Sequence, residues 1–253
     1  MDRKKLTSSF SLSEQIPWSC PTCHKGVLKI LEDSFQRMET ARSHAIHAYH
    51  RQHVPEHIEY LYSCLFQCSN RICNDVVSSS GVGFVDFVNY EIDDDGYHSS
   101  IYGDYFKPRY FEPALDLISI PDNCPNSILE PLRESFKLFF TSLGASANNA
   151  RIAIEVLLTE LGVPDKRPDG GFIKLHKRIE SIPPDYAHVK DMLEAVKWVG
   201  NAGSHHSGAK PDIEDLLDTY ELIEHVLEEV YASRRKRLSA IAARINKNKG
   251  PGK

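Results

Sequence analysis

The chain has 253 residues, 41% hydrophobic and 26% charged, which suits a soluble globular protein with a sizeable core and excludes global disorder. Its net charge of −5 argues against attraction of the whole molecule to nucleic acid or an anionic membrane, and leaves local basic patches open. No apolar run approaches the roughly 20 residues of a membrane span, and the basic start lacks a following apolar signal core. No membrane association and a cytoplasmic location are expected. Six cysteines there read as metal ligands or buried thiols sooner than as a disulfide framework.

Residues 1–15 are polar and read as a flexible N-terminus. Pro17-Trp18 opens the first ordered piece, followed by Cys20-Pro-Thr-Cys23 and Gly26. Tyr60 to Phe66 is aromatic and apolar and reads as a strand leading into Cys68-Ser-Asn-Arg-Ile-Cys73. Two close cysteine pairs fit a zinc ribbon with Cys20, Cys23, Cys68 and Cys73 as ligands of a structural Zn²⁺, because each short loop can aim two thiolates at one tetrahedral ion. The alternative is a set of buried free thiols. Cys64 shares the strand face of Cys68 and is a core cysteine or a substitute ligand; Cys124 reads as a packed thiol.

Between the pairs lies an insertion, roughly Leu31 to Glu59, in which His44, His47, His50 and His53 recur every third residue. The stripe could meet a metal or phosphate, but a solvated polar helix or loop is the plainer reading. Val76-Val77 and Gly81 to Tyr90 alternate as strands, and Asp93-Asp-Asp-Gly96 is a turn signal. Tyr97 to Pro121, rich in Tyr, Phe and Pro, reads as extended connecting chain.

From Pro125 the period becomes helical. Ile128, Leu132, Phe136 and Phe139 mark one helix, with Pro131 expected in its first turn. A second runs from about Ala145 to Leu161 and ends at Gly162-Val-Pro164; a short one covers Phe172 to Ile182. Another runs from about Asp185 to Val199, stopping near Gly200-Asn201, and Asp212 caps the last. From Ser233 every charged residue is basic, which would suit phosphate contacts or simply complement a helix C-terminus.

Polar chemistry concentrates in two places. Arg151 and Glu155 lie four apart on one helix face. Lys197, Asn201, Ser204 and His205 crowd the stretch Ala195 to Ser207. One reading is structural, with Asn201 as a C-cap, Gly203 left-handed and Arg151–Glu155 an internal ion pair. The other makes His205 a general acid/base, with Lys197 or Arg151 stabilising phosphate charge and Asn201 orienting the substrate or the imidazole.

Ala150-Arg-Ile-Ala-Ile-Glu-Val-Leu-Leu158, Val196-Lys-Trp-Val-Gly-Asn-Ala-Gly-Ser-His205, Ile120 to Pro125 and Tyr231 together resemble the bacterial family called domain of unknown function 4145, over about Pro121 to Tyr231. A preceding cysteine-pair ribbon resembles its longer members. That family is grouped with the HEPN superfamily of helical bundles, often dimeric, many of them metal-independent ribonucleases in toxin, CRISPR-associated or phage-defence systems. Their motif is Arg followed four to six residues later by His. The resemblance carries His205 to the histidine position and Asn201 to the polar residue after the arginine. Gly200 stands in the arginine's place, so Lys197 or Arg151 would have to supply the cation.

The expected protein is α+β: a flexible N-terminus (1–15), a zinc-ribbon-like β module with a helical or loop insertion and a Pro/aromatic linker (16–120), an all-α HEPN-like bundle (121–232) and a basic C-terminal tail (233–253). The expected function is a binding or regulatory module in a bacterial nucleic-acid-linked or phage-defence context. The alternative is an endoribonuclease using His205 with Arg151, Asn201, Lys197 and Glu155. Expected partners are a second copy or a larger protein, with RNA or DNA met through the basic tail and the ribbon.

Overall fold

The computed structural model describes residues 1–49, 54–92, 98–204, 210–232 and 234–250. The chain divides into a unit covering Asp2–Leu115 and a unit covering Asp116–Lys253. The first is an antiparallel sheet and the second is helical, as the change of period at Pro125 implies.

In the first unit, strand β3 (Glu59–Cys68) buries Tyr62, Cys64, Phe66 and Cys68 and exposes Leu61, Ser63 and Leu65 in alternation with them, the period-two pattern of a half-buried strand. Strands β1 (Leu28–Ile30) and β2 (Gln36–Glu39) share one of its edges, β1 beside Phe66–Cys68 and β2 beside Tyr60–Ser63. The other edge pairs with β4 (Val76–Ile92), which pairs in turn with β5 (His98–Glu112). Beyond Phe84, β4 has outrun β3 and pairs only with β5.

Two expectations are corrected here. Residues 1–15 are packed: helix α1 (Arg3–Thr7) buries Leu6, and Phe10 and Ile16 are also buried. Phe10 exchanges backbone hydrogen bonds of 2.9 and 2.7 Å with Phe106 and sets its ring edge-on to Trp18 and Tyr62, with centroids 5.6 Å away in each case. A few large apolar groups hold this segment in spite of its polar average. Of the stretch read as a Pro/aromatic linker, His98–Glu112 is likewise a strand, β5. It lies at the end of the sheet, and Pro108 stands opposite Gly81 beside a bulge, the kind of edge position that tolerates proline. In the insertion, Ala41–Tyr49 forms helix α2 after β2. His44 is largely exposed there, 3.7 Å from Glu39; His50 and His53 lie outside the described residues, as does the Asp93–Gly96 turn.

The second unit contains α3 (Asn126–Phe139), α4 (Leu143–Glu160), α5 (Leu175–Glu180), α6 (Lys190–Ser204), α7 (Ile213–Tyr231) and α8 (Arg234–Asn248). Its core joins Ile128, Leu132 and Phe136 to Ala150, Ile154 and Leu157, to Leu193 and Val196, and to Leu217, Tyr220 and Ile223. One buried polar knot ties three helices: the Tyr220 hydroxyl lies 2.8 Å from Ser135 Oγ and 2.7 Å from Ser146 Oγ. Asp212 and Asp215 form the capping box of α7. Gly162, at φ +81°, ends α4 in the left-handed conformation.

Several boundaries differ from expectation. Pro131 lies inside α3, not in its first turn. A 3₁₀ turn, Pro184–Val189, precedes α6, and α5 is shorter than the pattern suggested. The run from Arg234 is a helix, though its Leu238 and Ile245 are exposed. Most consequential, α6 continues through Gly200 and Asn201 to Ser204. Asn201 is therefore no C-cap, and Gly203 is no left-handed turn residue. No helix among the described residues is long and apolar enough to cross a membrane.

Candidate metal site and candidate binding cleft

Cys20 and Cys23 come from the turn before β1, Cys68 from the end of β3 and Cys73 from the turn that follows. Their four sulfurs all lie within 4.8 Å of one another and could hold a metal ion. Cys20 Sγ is 3.8 Å from Cys73 Sγ, and Cys23 Sγ is 3.6 Å from Cys68 Sγ. Around an ion bound tetrahedrally to thiolates at about 2.3 Å, the sulfur–sulfur edges are about 3.8 Å. The donor set fits such an ion in spacing as well as in number.

The two turns are built alike. Each second cysteine is followed by a left-handed residue, His24 at φ 53° and Asn74 at φ 52°, which turns the chain back. The Asn70 amide donates to Cys68 Sγ at 3.4 Å, and its side-chain nitrogen lies 3.7 Å from Cys23 Sγ. Such donors orient thiolates and stabilise their charge. Hydrogen bonds from the backbone of Lys25 and Gly26 lower the Cys23 thiol to about 6, while burial pushes Cys68 up to about 12. Gly26 is obligatory, because a Cβ there would stand 2.4 Å from Cys68 Sγ. Cys64 is a buried core thiol outside the cluster, pushed up to about 12 by burial; Cys124 is buried too.

In the helical unit, a cleft of about 820 Å³ opens between α4, the 165–174 segment, α5 and α6. Arg151, Glu155, Lys197 and Asn201 all line it. Arg151 pairs with Glu155, and its Nε lies 3.4 Å from Asn148 Oδ1, which also accepts from Ser204 Oγ at 2.9 Å. Lys197, only 5% exposed, pairs with Glu194 and holds its Nζ 4.0 Å from the centroid of the Trp198 ring. Glu194 also faces His176 Nδ1 at 3.4 Å. Burial opposes ionisation of Glu194, but the hydrogen bonds and charges of Lys197 and His176 outweigh it and hold the carboxyl below its usual range. His205 lies outside the described residues.

Gly200 has a definite task. A Cβ there would stand 2.5 Å from Arg151 Cβ, and one at Gly203 would stand 2.3 Å from the Gly144 carbonyl oxygen. The two glycines let α4 and α6 touch along their backbones, and this contact brings Arg151 beside position 200.

Several lining residues escaped the sequence reading. Phe172 and Trp198 are 78% and 63% exposed at the cleft, Lys174 and His176 are exposed, and Arg178 is buried. Trp198 carried a readable signal, since α6 buries Leu193, Val196 and Gly200 and Trp198 falls off that stripe. Arg178 carried none.

Residues 133–248 match the family model described as Domain of unknown function (DUF4145). The match extends past the expected end of the bundle and takes in α8. Residues 8–111 match a second family model, Domain of unknown function (DUF8608), which spans the sheet and all four clustered cysteines. Searches of the curated proteins and of the solved structures give no match.

Proposed function

We propose that this protein is a nucleic-acid-binding module, in which a HEPN-like bundle holds single-stranded RNA in the α4–α6 cleft. The observation that carries this reading is the cleft's lining: Arg151, Lys174, Arg178 and Lys197 stand beside two exposed aromatic rings, Trp198 and Phe172. Cations follow a phosphate backbone and rings stack unpaired bases, which together suit a single strand better than a duplex. In the N-terminal unit the four cysteines act as a zinc-ribbon-like site for structural Zn²⁺. Four thiolates at tetrahedral spacing favour zinc over harder cations, which prefer oxygen.

Fluorescence anisotropy with single-stranded RNA and duplex DNA tests the binding. The expected result is preference for the single strand, with affinity falling as salt rises. Equal or absent binding of both would sink the reading.

A ribonuclease is the second reading, favoured by the packing of Arg151 against Gly200 with Asn201 on the same cleft. In it, His205 moves the proton of a ribose 2′-hydroxyl and Arg151 steadies the phosphate charge. His205→Ala and Arg151→Ala would each abolish cleavage of a labelled RNA while leaving its binding measurable. Intact RNA after incubation with the wild-type protein rules catalysis out.

A further inference from the structure

Arg178 is unusual among the charged groups of the helical unit. It is 4% exposed, and its guanidinium offers five N–H donors and no acceptor. Its Nη2 donates to Thr159 Oγ1 at 2.7 Å and to the Val163 carbonyl at 3.1 Å, both neutral. Its Nε is buried with no hydrogen-bond partner among the described residues. Two of the five guanidinium N–H donors are thus used. The nearby carboxylates are committed elsewhere, Glu155 to Arg151 and Glu194 to Lys197 and His176, and Asp165 lines the cleft without pairing to Arg178. A buried charge with no ion-pair partner among the described residues and an unmade hydrogen bond is costly, and an anion bound beside it would offset that cost. Arg178 is among the residues that line the cleft.

We propose that Arg178 anchors a phosphate-monoester subsite in the cleft, with Lys174 at its rim. The proposal rests on the reading of the cleft as a nucleic-acid site and specifies which part of the ligand enters deepest. A monoester suits the donors better than an internal diester does. It has three terminal oxygens in place of two and carries up to two charges, matching a guanidinium with unused N–H groups and a neighbouring ammonium. The volume of about 820 Å³ is in the range of small-ligand pockets, room enough for a nucleotide or the end of a strand. Free nucleotides and 5′-phosphorylated strand ends share this chemistry.

The test uses the full-length protein with a short single-stranded RNA bearing either a 5′-phosphate or a 5′-hydroxyl, and with uridine monophosphate. The phosphorylated RNA is expected to bind about tenfold more tightly, as one added charge-assisted contact implies. Arg178→Met should erase that ratio. Lys174→Met, at an exposed position, should reduce it without changing the melting temperature. If Arg178→Met does not fold, Arg178→Lys keeps the charge with fewer donors and should still lose most of the ratio. Stabilisation of the wild-type fold by uridine monophosphate, absent in Lys174→Met, would identify a free nucleotide as ligand; a ratio without it would identify the strand end. Nucleotide stabilisation with no RNA binding would uphold the subsite and overturn the RNA reading. Equal affinity for the two RNAs, with no effect of uridine monophosphate, would overturn the subsite and leave the RNA reading standing. No response to any of the three ligands would overturn both.

Discussion

Cys20 and Cys23 reach the cysteine cluster from one turn, and Cys68 and Cys73 from the end of one strand and its turn. The cleft instead gathers residues 151–159, 165, 172–178 and 197–201 from three helices and a loop. In the cluster, two local geometries need only be brought together once, by the antiparallel pairing of β1 with β3. In the cleft, each wall depends on how α4, α5 and α6 pack. A site of the first kind responds to loss of its ligands all at once. A site of the second kind responds to small displacements of its helices.

Metal removal puts the largest strain on that contrast. Structural zinc sites contribute roughly 10 kcal/mol or more, so chelation or Cys68→Ser should unfold the sheet unit. Elemental analysis should show the metal lost, and near-ultraviolet circular dichroism should show the loss of packing around Trp18. The helical unit should keep its own thermal transition. Protein purified without metal and yet fully ordered at Trp18 would remove the contrast.

Next come the helix contacts. Gly203→Ala forces α4 and α6 apart at the Gly144 carbonyl. Overpacking costs about 1–3 kcal/mol, against a gain in helix propensity of up to about 1 kcal/mol. A lower melting temperature together with weaker RNA binding is expected. A rise in melting temperature would show that the helices are not held by this contact. Trp198→Ala separates binding from packing: the exposed ring should cost binding by about 1–3 kcal/mol for a stacked base, with stability changed by less than about 0.5 kcal/mol. Calorimetry and anisotropy on the same sample would read both.

Two smaller effects sharpen the picture of the bundle. Asp212→Ala removes the capping box of α7 and should lower stability by about 1 kcal/mol in denaturant titration. Glu194 adds a pH dependence. Its folded pKa lies below the ordinary 4.5, so its contribution is complete above 4.5 and is lost as pH falls through the folded value. Glu194→Gln should flatten the acid limb of the stability curve slightly, the carboxylate being part-exposed and screened. An unchanged acid limb would count against the Lys197–Glu194–His176 cluster.

The α+β order of the chain, the four clustered cysteines and most helices were legible because each rests on short-range pattern. Strand β3 shows its alternation within ten residues, Glu59–Cys68, and α7 its helical rhythm within nineteen. Misreadings occurred where average composition hid a few decisive groups. Leu6, Phe10 and Ile16 lie in a polar stretch, and Pro108 suggested a linker because nothing local indicates an edge strand beside a bulge. Arg151, Glu155, Lys197 and Asn201 were picked out as polar chemistry in apolar surroundings, and they do line one cleft. Trp198 was readable from its place off the apolar stripe, whereas Arg178 was not.

The sequence by itself determined which residues could ligate a metal, where strand period gives way to helix period, and which polar side chains interrupt the apolar faces. These follow from spacing along the chain, which local backbone geometry converts directly into direction. Only the tertiary structure decided that Gly200 and Gly203 are contact surfaces for α4, that Arg151 therefore stands beside position 200, and that Arg178 is buried with its Nε unpartnered among the described residues. Those facts depend on groups far apart in the chain that meet only when the helices pack, and no local pattern records that meeting.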